Sequence, residues 1–298
     1  MNKERPTGWF VINAVAPTRI CDVGGWTDTH FARSGAVCNI AIHPCAEVQI
    51  QPLPPCEGSE RITVSVENYG VSYSLDPGRI VYDRHPLIEA AIKRVGGPPD
   101  RALRINTFSC APPGASMGTS AAVSVALVGA LCEALERRLS PHETAVLAHA
   151  LETEELGLEC GVQDQFASAY GGINFVDVVQ FPRTRVTQLT MPEPAWWELE
   201  QRLVLAYIGK PHNSSDIHKM VIAGLGTEPW KAPRLERLRE LAPAARKALE
   251  AGDFAGQEEE PLRVFHADVA ERGVVLIHPR LKKPSDLKLH DSRRESFA

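Results

Sequence analysis

Residues 112–120, PPGASMGTS, combine two glycines and three hydroxyl groups directly before a long apolar run. Glycines permit a tight loop whose backbone N–H groups converge on one point, and a helix that begins there adds the positive end of its dipole. That combination suits a phosphate group. The loop lacks the lysine of the GxxxxGK[ST] motif, so it is not a Walker-type nucleotide site. An ordinary turn between a strand and a helix is the alternative interpretation.

A second segment, residues 16–28, places Arg19 and Asp28 on either side of the adjacent Gly24 and Gly25. An arginine among small and apolar residues is costly to bury without an anionic partner. An aspartate that follows a glycine turn could accept hydrogen bonds from the hydroxyl groups of a ligand. The alternative is a surface turn with a solvated aspartate.

A third segment carries two carboxylates, Glu152 and Asp164, with a glycine-containing turn between them. One carboxylate could bind a divalent cation, and the other could serve as a general base. Glu152 begins the run ETEE, so the alternative is a charged helix face that is simply exposed to solvent.

Composition excludes several classes of protein. The 298 residues are 44% hydrophobic and 23% charged, which is close to the globular average and not that of a disordered or fibrous chain. Apolar runs are too short to span a bilayer and the first residues lack the apolar core of a secretory signal, so we expect a cytoplasmic protein without a membrane partner. A net charge of −5 argues against nucleic acid as a partner. The seven cysteines, an odd number without CxxC spacing, are expected to be reduced and mostly buried.

The three segments described above, called the chemical segments below, lie among alternating strands and helices. Alternating or β-branched runs predict strands over residues 11–15, 37–42, 48–53, 62–66, 71–75, 103–107, 173–178, 186–189 and 203–208. Helices are predicted over 86–95, 120–139, 141 to about 156, and 234–251, the last one interrupted at Pro243. The second of these is apolar nearly all round, so we expect it to be buried. A lobe boundary is predicted near residues 191–197, and the charged residues from Gly256 onward are expected to form a tail.

In order and content, the three segments together resemble the signature motifs of the GHMP kinase family. Residues 16–28 are similar to its first motif, with Thr18 where glycine is usual, and residues 112–120 are similar to its ATP phosphate loop. Residues 160–165, CGVQDQ, are similar to the stretch that holds its catalytic aspartate. The run GGWTDT and the run GAVCNIAI resemble the heptose 7-phosphate kinases and the kinase part of fucose kinases most.

The resemblance implies ATP and Mg²⁺ as cofactors and a small-molecule sugar or sugar phosphate as acceptor, phosphorylated at a hydroxyl, most simply the anomeric one. It implies Asp164 as the catalytic base, with Arg19 keeping it ionised, and Ser120 and Glu152 as Mg²⁺ ligands. Asp28, Gly25 and Thr27 are expected to bind the acceptor. The residues implied for the ATP phosphates are Pro113, Gly114, Ala115, Ser116, Met117, Gly118, Thr119 and Ser120.

The fold implied is α+β and two-lobed. Residues 1–192 are expected to form an ATP-binding lobe like ribosomal protein S5 domain 2, and residues 193–298 an incomplete ferredoxin-like lobe. The family's third motif, a glycine-rich run, is absent after Gly252, where the only glycines are Gly256 and Gly273. We therefore expect the chain to be truncated or altered after about residue 252. The alternative functions are a catalytically silent sugar- or ATP-binding relative and a truncated, inactive fragment. The sequence does not determine the oligomeric state.

Overall fold

The computed structural model describes residues 10–55, 58–112, 114–207, 214–252 and 274–276. The expectations about Pro113 and about the tail fall outside these residues, except for 274–276. The described strands are β1 Ile12–Val23, β2 Gly35–Leu53, β3 Ile62–Val66, β4 Val71–Leu75, β5 Ala102–Ser109, β6 Ile173–Gln180, β7 Arg183–Leu189, β8 Leu205–Tyr207 and β9 Val274–Leu276. The described helices are α1 Pro86–Val95, α2 Thr119–Ala134, α3 Pro141–Ala150, α4 Gln163–Tyr170, α5 Glu193–Arg202, α6 Ser214–Gly224 and α7 Pro233–Ala251.

Strand β2 organises a seven-stranded sheet in the order β4-β3-β5-β2-β6-β7, with β1 paired to β2 outside that path. Its first part pairs with β6 from Gly35 to Ile40, and its second part pairs with β5 from Ala46 to Leu53. Strand β1 runs antiparallel to β2 along both parts, with an irregularity after Pro17. The sequence predicted two strands over residues 37–53, and the structure has one, because Cys45, Ala46 and Glu47, which lie between the two runs, remain paired with β1.

Helix α2 is the centre of the main core. It is apolar on every side, as the sequence predicted, and it contacts β1, β2, α1, α3 and α4. Leu127 and Leu131 are fully buried in a cluster with Ile50, Ile105 and Ile92. Removing this much apolar surface from water holds the start of the helix at a fixed place beside the sheet.

Helix α3 begins at the predicted cap. The Ser140 hydroxyl accepts a hydrogen bond from the Glu143 N–H, and the Glu143 carboxylate accepts one from the Ser140 N–H. The helix does not continue regularly to residue 156. It ends at Ala150 and becomes a π-helical turn over Leu151–Glu155.

Helix α7 covers another part of the sheet. Its residues Ala245 and Leu249 pack with Ile20, Cys38 and Ile40 in a second apolar cluster. Pro243 lies inside the helix and does not interrupt it, in contrast to the prediction. The predicted boundary at residues 191–197 coincides with the start of α5, and β8 pairs with β9 in a separate two-stranded sheet.

None of the described helices is long and apolar enough to cross a membrane. The cysteines that the structure describes as free thiols are Cys38, Cys45, Cys110, Cys132 and Cys160. The first, second and fourth of these are buried, Cys160 is half-buried and Cys110 is exposed.

Candidate active site

One cavity of about 710 Å³ brings parts of all three chemical segments together. Its wall includes Arg19 and Asp28 from the first strand and the turn after it, the loop that leads into α2, and both Glu152 and Asp164. These residues are distant in sequence, and the sheet with its buried helix α2 places them around one space.

The loop before α2 has the backbone conformation that a phosphate site requires. Gly114, Ser116 and Gly118 have φ angles of 71°, 57° and 67°, so a left-handed residue occurs at every second position. Alternating backbone conformations of this kind turn successive N–H groups toward a common point, which makes an anion-binding concavity. Gly118 is also the residue directly before the first turn of α2, so the concavity and the helix N-terminus coincide.

Arg19 connects this loop to the carboxylate of Asp164. Its Nε donates a hydrogen bond to Asp164 Oδ1 at 2.7 Å, and its Nη1 donates one to the Ser116 carbonyl at 2.9 Å. Its backbone N–H donates to the Met117 carbonyl at 2.9 Å. Arg19 is therefore buried with anionic and carbonyl partners, which accounts for a buried cation in this strand.

Asp164 lies in the first turn of α4, against the backbone of the loop before α2. A Cβ atom added to Gly118 would lie 3.1 Å from Asp164 Cγ and Oδ2. The carboxylate is thus next to the point where α2 begins, and glycine at 118 makes that approach possible.

Asp28 is buried, in contrast to the solvated turn that was the alternative interpretation. Its Oδ2 accepts a hydrogen bond from the Gln163 N–H at 3.0 Å, and its carbonyl accepts one from the Val162 N–H. Both donors belong to the start of α4, so Asp28 holds that helix in place. Burial raises the pKa of Asp28 to about 6; the Gln163 hydrogen bond opposes this shift and the nearby Asp164 adds to it.

Gly25 and Thr27 are not among the residues that line the cavity, and their expected contact with the acceptor stays a prediction. The Thr27 hydroxyl is fully buried, donates to the Gly24 carbonyl at 2.7 Å and accepts from the Ala36 N–H at 3.1 Å. A Cβ atom on Gly35 would overlap Thr27, at 2.3 Å from its Cβ. These contacts close the turn between β1 and β2 that presents Asp28.

Glu152 lies in the π-helical turn and is buried, so it is not part of a solvated helix face. Its Oε1 accepts a hydrogen bond from Gln165 Nε2 at 2.9 Å. Burial raises the pKa of Glu152 to about 7, an effect that the Gln165 hydrogen bond opposes and that Asp164 increases. A buried carboxylate with a neutral amide as its hydrogen-bond partner gains stability as an anion when a cation lies beside it.

The side chains around Glu152 fit a hard divalent cation. In the described part of the chain, no cluster of three or more His, Cys, Asp or Glu residues could hold a metal by itself. Mg²⁺ is commonly held by only one or two carboxylates together with substrate phosphates. Ser120 and Glu152 both line the cavity, and the neighbouring Thr119 hydroxyl is buried without a hydrogen-bond partner. This set of oxygen donors is compatible with a cation that arrives with a phosphate.

Two ring pairs on the cavity wall were missed by sequence reasoning. At one side, the rings of Tyr69 and His85 are tilted by 59° with centroids 6.2 Å apart, and Asn68 lines the same cavity. At the other, Trp26 and His218 have centroids 4.8 Å apart, and Trp26 has a φ of 72°, which is rare for a bulky residue. The tryptophan after a Gly-Gly pair was a usable signal. No local sequence pattern predicts a place in the cavity wall for Tyr69, His85 or His218.

Comparison with known proteins finds similarity to small-molecule kinases. Residues 85–172 match the model of the GHMP kinases N terminal domain. The chain is 31% identical over 153 residues to the D-glycero-alpha-D-manno-heptose 7-phosphate kinase of Campylobacter jejuni, which covers 51% of this chain and 45% of that one. It is 29% identical over 265 residues to the bifunctional fucokinase/GDP-fucose pyrophosphorylase of Arabidopsis thaliana, which covers 81% of this chain and 25% of that one.

Solved structures show the same fold. A crystal structure of a D-glycero-D-manno-heptose 1-phosphate kinase from Bacteriodes thetaiotaomicron superposes with a TM-score of 0.69 over 91% of this chain and 89% of that chain, at 24% identity. A Lactococcus lactis galactokinase complexed with galactose gives a TM-score of 0.63 at 16% identity, over 88% of this chain and 75% of that one. The matched regions span less than half the length of the two curated relatives. Residues 85–172 therefore match a GHMP kinase N-terminal domain, and the chain has the mixed α/β fold of the solved kinases.

Proposed function

We propose that this chain is an ATP-dependent sugar kinase that transfers the γ-phosphoryl group to a hydroxyl of a sugar or sugar phosphate. The observation that carries the proposal is the Arg19–Asp164 ion pair beside Gly118, where an acid–base group adjoins an anion-binding helix N-terminus. Phosphoryl transfer requires mainly positioning and neutralisation of charge, and this cavity offers both. The names of the matched curated relatives support the same class of reaction.

The nucleotide would bind along the α2 side of the cavity. Backbone N–H groups of residues 114–120 would hold the phosphates, because the left-handed positions favour a concave loop there. The Tyr69–His85 ring pair offers an apolar place for the base on the same wall. On this assignment residues 1–192 would be the ATP-binding lobe.

Glu152 and Ser120 would hold Mg²⁺ with the phosphates. The cation would supply positive charge to the phosphate oxygens during transfer. Glu152 is suited to this role because burial disfavours its charged form, and an adjacent cation would stabilise that form.

Asp164 would take the proton of the acceptor hydroxyl. The hydroxyl oxygen would form a bond to the γ-phosphorus as the bond from that phosphorus to the oxygen bridging it to the β-phosphate breaks, releasing ADP. Arg19 would fix the orientation of the Asp164 side chain through the hydrogen bond from its Nε to Asp164 Oδ1.

The acceptor would lie on the side of the cavity bounded by Asp28 and the Trp26–His218 ring pair. The resemblance of this region to the heptose 7-phosphate kinases favours a heptose 7-phosphate, phosphorylated at the anomeric hydroxyl. Asp28 would accept from the acceptor's hydroxyl groups while it also holds α4.

The experiment is a coupled assay of ADP release with Mg²⁺ over heptose 7-phosphate, fucose, galactose and glucuronate. We expect ADP release that depends on one of these sugars, and we expect heptose 7-phosphate to be the best. ATP binding without sugar-dependent turnover on any of them would instead identify a silent binding relative. Absence of both ATP binding and turnover would refute the proposal.

A further inference from the structure

The carboxylate of Glu155 is in contact with three side chains, whereas a carboxylate on a solvated helix face would be surrounded mainly by water. Tyr82 Oη donates to Glu155 Oε2 at 2.8 Å, and Arg94 Nη1 donates to Glu155 Oε1 at 3.0 Å. Lys93 Nζ lies 3.8 Å from Oε2 and also lies over the Tyr82 ring, 4.9 Å from its centroid. The side chain of Glu155 is only 18% exposed. Tyr82, Lys93 and Arg94 form a clamp that fixes both oxygens of one carboxylate.

The clamp joins the π-helical turn to another part of the chain. Tyr82 precedes α1, and Lys93 and Arg94 lie near its end, so the clamp fastens the turn to that helix. Helix α1 is itself fixed in the core, since Ile88 and Ile92 are buried there. The turn is therefore attached to a rigid element at Glu155, three residues after Glu152.

The backbone of the turn does not follow the regular hydrogen-bond spacing of an α-helix. The Leu156 N–H donates to the Leu151 carbonyl at 3.2 Å, and the Leu158 N–H donates to the Glu152 carbonyl at 2.9 Å. These are five- and six-residue spacings, wider than the four of an α-helix. Single π-helical turns within helices occur frequently at functional sites. In this turn, the widened spacing separates the Glu152 side chain in the cavity from the Glu155 side chain in the clamp.

We propose that Glu155, held by Tyr82 and Arg94, is a positioning residue that keeps the Glu152 carboxylate at the place where a cation reaches the nucleotide phosphates. This inference rests on the proposed function, because it assumes that Glu152 binds the cation. A single exposed ion pair contributes little, but a network with ideal geometry around a mostly covered carboxylate can fix a backbone segment. Partners of this kind behind metal ligands tune the affinity for the metal.

Binding calorimetry tests the proposal without turnover. ATP is titrated into the full chain at a series of Mg²⁺ concentrations, and also in EDTA without metal, with no sugar present. The measured quantity is the Mg²⁺ half-effect, the Mg²⁺ concentration that gives half of the maximal increase in ATP affinity. For Tyr82→Phe and Glu155→Ala we expect it to rise about 10-fold, as is typical for groups behind metal ligands. We expect the affinity for metal-free ATP to stay within about 2-fold of wild type, because neither residue lines the cavity.

Glu154→Ala is the matched control. Glu154 is the adjacent carboxylate and also bonds to Arg94, at 2.8 Å, but its side chain is 61% exposed, and the Tyr82 hydroxyl donates to Glu155 instead. We expect its Mg²⁺ half-effect to equal that of wild type. Thermal unfolding of each variant shows whether it is folded. If Glu155→Ala does not fold, the result for Tyr82→Phe decides whether the positioning role holds, since this substitution removes one hydroxyl and keeps the ring.

The calorimetric results distinguish failure of the positioning role from failure of the proposed function. If wild type binds ATP with Mg²⁺ but folded Tyr82→Phe and Glu155→Ala match Glu154→Ala, the positioning role is wrong and the proposed function stands. If metal-free ATP binding weakens as much as Mg²⁺-dependent binding, the clamp is merely structural and the proposal is overturned. If wild type itself binds no ATP, the proposed function fails and this inference fails with it.

Discussion

Arg19 and Asp164 are 145 positions apart in the chain, yet Arg19 Nε lies 2.7 Å from Asp164 Oδ1. The pair joins β1 to the start of α4, and through the Ser116 carbonyl it also joins both to the loop before α2. The proposed base, the guanidinium that orients it and the proposed phosphate site are therefore parts of one hydrogen-bonded unit. Changing any member should affect catalysis more than it affects folding.

Asp164→Asn should abolish turnover and leave nucleotide binding nearly unchanged. The amide keeps the shape of the side chain but cannot take a proton, and a general base contributes typically about 10²–10⁴-fold. The measurement is kcat in the ADP-release assay, together with the calorimetric affinity for ATP. Retention of more than about a tenth of the activity would contradict the role of Asp164 as base.

Arg19→Lys should lower kcat and raise the KM for ATP. Lysine keeps the charge, but its single ammonium cannot replace the separate bonds of Arg19 to Asp164 and to the Ser116 carbonyl. Loss of one charge-assisted hydrogen bond costs about 1.5–3 kcal/mol, so a fall of roughly 10- to 150-fold in kcat/KM is expected. Kinetics equal to wild type would show that the geometry of this ion pair is not used.

Glu152→Gln should raise the Mg²⁺ requirement strongly, because it removes an anionic oxygen from a cation that prefers oxygen ligands. Glu154→Gln should do almost nothing, with the free energy of unfolding within about 0.5 kcal/mol of wild type. The measurement is initial rate, or ATP binding if turnover is absent, against Mg²⁺ concentration. Equal effects from both substitutions would mean that Glu152 is not the ligand.

The stability of the chain should depend on pH through Asp28. Its pKa is raised to about 6 in the folded state, so the unfolded chain loses this proton first and the free energy of unfolding falls as pH rises from about 4 to about 6. Asp28→Asn should remove up to about 3 kcal/mol of that dependence, because the amide resembles the protonated acid. Urea unfolding at a series of pH values measures it, with Asp100→Asn at an exposed site as the control.

Gly118→Ala should reduce ATP binding and turnover. An added Cβ would lie 3.1 Å from the Asp164 carboxylate, and a φ of 67° is strained for alanine by about 1 kcal/mol or more. Gly129→Ala is the control, since that glycine lies inside α2 with open space around the new Cβ, and alanine there should stabilise the helix by up to about 1 kcal/mol. Equal ATP affinity in the two variants would contradict phosphate binding by the loop that contains Gly118.

The sequence by itself determined several elements of this protein with correct boundaries. Helix α1 and strands β3 and β4 begin and end where their patterns predicted, because each has strong local stop signals and a period that fits one structure. The burial of α2 followed from an apolar sequence on all sides, and the capping box of α3 followed from Ser140 and Glu143. The spacing of the three motifs indicated the family, and the comparisons confirmed it for residues 85–172.

The tertiary structure alone decided which side chains of those motifs share the cavity. Thr27 and Asp28 are adjacent in sequence, but the Thr27 hydroxyl closes the turn while Asp28 lies in the cavity wall and holds α4. Glu152 and Glu155 belong to one acidic run, and only the π-helical turn and the contacts with α1 send them to different surroundings. These outcomes depend on contacts between residues far apart in the chain, and burial and charge at such contacts are set by packing rather than by local pattern.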